Sequence, residues 1–92
     1  MTFLEEILDG YGINIENAQE TETGSLIIDL EDFDAFNQVF SQLSDSNELE
    51  LCDEETNFND MNGVVLFEGN NYHISIIADF DGDIYKLVAE ED

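Results

Sequence analysis

The 92-residue chain sets 24 Asp and Glu against one Lys and no Arg, a formal charge of -23 at neutral pH. A charge of that sign disfavours direct binding to nucleic acid or to an anionic membrane surface. Seven Phe, three Tyr and a hydrophobic content of 42 % are too much for a solvated acidic tail, so one folded domain with an acidic skin is expected.

Thr2-Phe3-Leu4-Glu5 reads as a capping box, with Thr2 as N-cap and Glu5 at the third helical position. Leu4, Ile7, Leu8 and Tyr11 follow at helical spacing, and Gly10 is the expected stop. Ile13 and Ile15 extend this short helix into a brief strand, and 16–23 is a polar loop. The branched run Leu26 to Leu30 predicts a buried strand. A second helix opens near Asp29 or Asp32, with Phe33, Phe36, Val39, Phe40 and Leu43 as its apolar stripe. That stripe is read as core, with a ligand or dimer surface as the other reading.

Glu48-Leu49-Glu50-Leu51 alternates, which places carboxylates and leucines on opposite faces of a strand. Asp53 to Asn62 is expected to be a long polar loop around Phe58. Val64 to Glu68 and Tyr72 to Ala78 form a hairpin through Gly69-Asn70-Asn71, and Asp81-Gly82 turns into a last strand over Ile84 to Ala89. The expected fold class is α+β, with two helices on one face of a mostly antiparallel sheet of about five strands.

Cys52, the single cysteine, excludes an internal disulfide and points to a reducing compartment. No apolar stretch approaches the roughly 20 residues of a membrane span, and no signal peptide opens the chain. A cytoplasmic location is expected.

Asp79-Phe80-Asp81-Gly82-Asp83 places three carboxylates at alternate positions, as a calcium loop does. Its glycine comes too early for an EF-hand, and position 12 is Glu90, beyond a strand-like run. A turn is the simpler reading. His73 has no metal-ligand spacing around it, and no glycine-rich phosphate loop is present. Lys86 alone is a poor source of the cation that phosphoryl or acyl transfer needs. No catalytic residue, metal or cofactor is expected.

The carboxylates themselves are the candidate site. Asp32 and Asp34 at the second helix, Glu48 and Glu50 on a strand, and Asp53, Glu54 and Glu55 in the loop are the residues selected. Carboxylates two apart on a strand lie on the order of 6.6 Å from each other. Those three or four apart on a helix lie roughly 5–6 Å apart. Rows of this kind present charge to Arg and Lys side chains that otherwise hold phosphates. The plainer alternative is a solvated surface that only maintains solubility.

With its length, extreme acidity, α+β character and acidic patches Asp32-Phe33-Asp34 and Asp53-Glu54-Glu55, the chain resembles the phage-encoded DNA-mimic anti-restriction proteins. Their likeness to one another lies in charge and carries no signature residue. The resemblance implies a homodimer shaped like bent duplex DNA. That dimer would occupy the DNA-binding site of a restriction endonuclease of the McrBC kind, or of another DNA-processing protein, in a bacterial cytoplasm. An immunity protein against a basic nuclease toxin and a divalent-cation binding module are the alternatives.

Overall fold

The computed structural model describes residues 2–52 and 56–92. In chain order the elements are α1 (Phe3–Gly10), β1 (Gln19–Glu20), β2 (Leu26–Leu30), α2 (Phe33–Ser44), β3 (Glu50–Leu51), β4 (Asn57–Phe58), β5 (Asn62–Glu68), β6 (Tyr72–Asp79) and β7 (Ile84–Glu91). All strands join one antiparallel sheet in the order β1-β2-β7-β6-β5-β3, with β4 also paired to β5. The α+β class is as expected, and the sheet of about five strands is four long strands with three two-residue ones.

The capping box forms: the Glu5 amide donates to Thr2 Oγ1 at 3.3 Å, and the Thr2 amide to Glu5 Oε1 at 3.4 Å. The helix does end at Gly10, but the left-handed residue is Gly12, at φ 81°. The Ile13 amide then reaches back to the Leu8 carbonyl at 3.0 Å. No strand forms over Ile13–Ile15, which pairs with no strand among the described residues; Ile13 is buried and Ile15 packs at the core margin. The loop expected over 16–23 contains the short β1.

Asp32 caps α2, its Oδ1 accepting from the Ala35 amide at 2.9 Å. Alternation along the strands supplies the core. Ile74, Ile76 and Ala78 on β6 lie opposite Ala89, Leu87 and Tyr85 on β7, and these six residues and Tyr72 are buried. Leu4 and Leu8 of α1 and Phe36, Val39 and Leu43 of α2 close over them. Each fully buried Leu, Ile or Phe is worth roughly 1.5–3 kcal/mol, and that sum opposes the chain's own repulsion. Ion pairs contribute little: among the described residues the only candidates are at His73, which meets Asp92 at 2.7 Å and Glu90 at 3.9 Å and pairs ionically with them only when protonated. Among the described residues no helix is long and apolar enough to cross a membrane.

Candidate partner-binding surface

Helices cover only one face of the sheet, so the strands present a second, outer face. Two cross-strand rows through its centre are largely apolar. One runs Ile27, Val88, Ser75, Leu66, and the next runs Asp29, Lys86, Ile77, Val64. These central rows hold one carboxylate and the chain's one lysine, so their charges balance. A shallow groove of about 380 Å³ runs past Val64, Ile77, Ile84 and Lys86. Beyond them a third row is acidic, with Glu90, His73, Glu68 and Glu50 side by side across four strands.

The selected carboxylates separate into two poles. Asp32 and Asp34 lie at the start of α2, at the sheet end where β6 turns into β7; both are exposed. Glu48 lies at the other end, where its Oε2 accepts from the Tyr11 hydroxyl at 3.5 Å. Glu50 is opposite Glu68, a like-charge pair that costs stability in a sheet. The eight-residue β6 that separates the poles spans roughly 24 Å. The expected strand from Glu48 to Leu51 is shortened to Glu50–Leu51, so Glu48 and Glu50 are not a pair on one strand face. Leu49 explains this: it packs toward the core and takes the chain off the edge of β5 before pairing begins. Asp53, Glu54 and Glu55 lie outside the described residues.

Several acidic positions were not selected from the sequence. Glu68, Glu90 and Asp92 join the Glu50 pole through the pairing of β5, β6 and β7. The Gly69-Asn70-Asn71 hairpin held the signal, since its register places Glu68 against His73. At the other pole the β6–β7 turn closes with Asp79 Oδ1 accepting from the Gly82 amide at 3.2 Å. The left-handed residue there is Asp83, at φ 53°, rather than Gly82. Among the described residues, no three His, Cys, Asp or Glu side chains gather closely enough to hold a metal ion.

Two tyrosines feel this field. Burial, then the 2.6 Å hydrogen bond with Tyr11 and the charges of Tyr11 and Glu48, push the Tyr72 phenol well above its ordinary value. Burial, the hydrogen bond with Asp83, and the charges of Asp83, Asp32 and Asp79 push Tyr85 up as well. Alkaline solution should therefore destabilise the protein. Below pH about 10 folded and unfolded chains both keep these protons. Above it the unfolded chain releases them while the folded chain holds them, so stability falls as pH rises. Melting curves with tyrosinate absorbance test this: the absorbance of Tyr72 and Tyr85 should appear together with unfolding. Ionisation of Tyr72 and Tyr85 near pH 10 in a fully folded chain would contradict it.

The fold and surface define a small antiparallel α+β domain whose exterior is anionic at both ends of its sheet. Comparison with family models, curated proteins and solved structures yields no match.

Proposed function

We propose that this protein is a stoichiometric mimic of duplex DNA that occupies the DNA-binding surface of a restriction endonuclease or another DNA-processing enzyme. One observation carries the reading. The body measures 35 × 26 × 23 Å and bears a formal charge of -23 with one lysine. Duplex DNA carries one charge per roughly 1.7 Å, so 23 charges equal about 40 Å of duplex, close to the long axis of this body. A surface of that density attracts Arg and Lys side chains arranged for phosphates, and steers them into fast, salt-sensitive association. No turnover is involved.

The reading includes a homodimer, in which two copies meet through the outer face of the sheet. Its centre is apolar and charge-balanced, so contact there adds less repulsion than contact at either acidic pole. Light scattering should give about twice the 10.4 kDa chain mass, and Ile77→Asp should halve it. A wild-type monomer at high protein concentration would remove the dimer from the proposal.

The decisive experiment is capture from a nuclease-treated bacterial lysate on immobilised protein, followed by elution with duplex DNA. A DNA-processing enzyme should elute with DNA and with salt, and adding this protein should inhibit that enzyme's activity. The triple variant Asp34→Lys, Glu48→Lys, Glu50→Lys should lose capture and inhibition while keeping its fold. Asp32 is spared because it caps α2. Retention of nothing that DNA displaces would refute mimicry.

A further inference from the structure

The apolar stripe of α2 is buried at Phe36, Val39 and Leu43, but its first member is not. Phe33 keeps 40 % of its surface in solvent. It does so while packed among three rings: Phe36 stacks at 5.8 Å between centroids, Phe80 meets it at 5.6 Å and Tyr85 at 5.9 Å. The ring is thus held in place and still open, unlike an exposed side chain that merely lacks cover.

Its surroundings are anionic from two segments distant in sequence. Asp32 and Asp34 flank it in sequence at the start of α2, and the β6–β7 turn brings Asp83, whose charge acts on the neighbouring Tyr85 hydroxyl. Lys86 is on the opposite face of the sheet, and both ion pairs of the described residues are at His73, near the far pole. Among the described residues the patch therefore has no cation of its own. A cation must come from the occupant, and the ring limits which. Among the described residues no cluster can hold a metal ion. A second copy of this chain has no arginine and one sheet-face lysine to offer. A guanidinium is planar, lies on aromatic surfaces and pairs with carboxylates through two parallel hydrogen bonds; an ammonium does only part of this.

We infer that Phe33 is an anchor that receives an arginine side chain of a basic partner protein, with the neighbouring aspartates pairing to the same guanidinium. The inference rests on the proposed reading of the chain as a ligand for a basic surface. It adds to that reading a residue-specific contact that charge density alone does not demand.

Oligo-arginine and oligolysine peptides of equal length, titrated at one ionic strength, test it. The arginine peptide should bind more tightly and shift the Phe33 ring resonances. Phe33→Leu should weaken arginine-peptide binding by about two- to fivefold and leave lysine-peptide binding unchanged. Equal binding of both peptides with no effect of Phe33→Leu overturns the anchor and leaves the basic-partner reading standing. Binding of neither peptide overturns both. Should Phe33→Leu fail to fold, the wild-type ring resonances decide: movement with the arginine peptide supports the anchor, and immobility overturns it.

Discussion

Between about 10 mM and about 1 M sodium chloride the melting temperature should rise by roughly 15 °C. At the lower concentration the Debye length is about 30 Å, so nearly every carboxylate on a body 35 Å long feels every other. At the higher concentration it is about 3 Å, and only immediate neighbours interact. Unfolding also relieves repulsion, because the expanded chain moves its charges apart. Salt removes that advantage of the unfolded state. Ordinary domains respond less, since screening weakens their ion pairs as well as their repulsions. Here the only ion pairs among the described residues are the two at His73, so the response should run one way. Differential scanning calorimetry in sodium chloride measures it directly. A melting temperature that stays level would mean that the folded carboxylates repel no more than the unfolded ones do.

Gly69→Ala should cost about 2–3 kcal/mol, or roughly 10–20 °C in melting temperature. A Cβ at Gly69 would sit 2.3 Å from Cζ of Tyr72, inside the ring's own space. The ring has little room to retreat. Tyr72 is buried, its hydroxyl lies 2.6 Å from that of Tyr11, and its ring meets the ring of Phe3 edge to face at 6.0 Å. This contact ties the β5–β6 hairpin to α1, so the cost should appear as loss of global stability. The double variant supplies the control. On a Tyr72→Ala background, Gly69→Ala should add almost nothing, because the clash has gone. Equal costs on both backgrounds would place the strain elsewhere.

How much of this was legible depended on the range of the interaction concerned. The α1 capping box lies within four residues, and Thr2 and Glu5 satisfy it as the pattern predicts. The four long strands follow from alternation and branched residues, and each is present. Turn details were less legible. Gly10 was expected to stop α1 and Asp81-Gly82 to turn the chain, and both do, but the left-handed residues beside them are Gly12 and Asp83. The flanking elements set where the chain must reverse, and asparagine or aspartate tolerates a left-handed conformation at modest cost. The Glu48–Leu51 alternation misled for a similar reason. A two-residue period permits a strand, but β5 offers a pairing edge only at Glu50 and Leu51 along that stretch.

The proposed anchor shows the limit most clearly. Phe33 reads as one more member of a helical stripe, with the same spacing as Phe36. Its exposure follows from its place on the first turn of α2, at the end of the sheet where the Phe80 and Tyr85 rings meet it. The sequence by itself determined the charge, the absence of compensating cations, the two helices and the faces of the long strands. These depend on composition and on periods of two and 3.6 residues, which are local properties. Only the tertiary structure decided which carboxylates became neighbours, and that the selected ones among the described residues fall at two poles about 24 Å apart with a charge-balanced apolar face between. That arrangement depends on strand register and on the path of α2 across the sheet, and both are settled by packing between residues far apart in the chain.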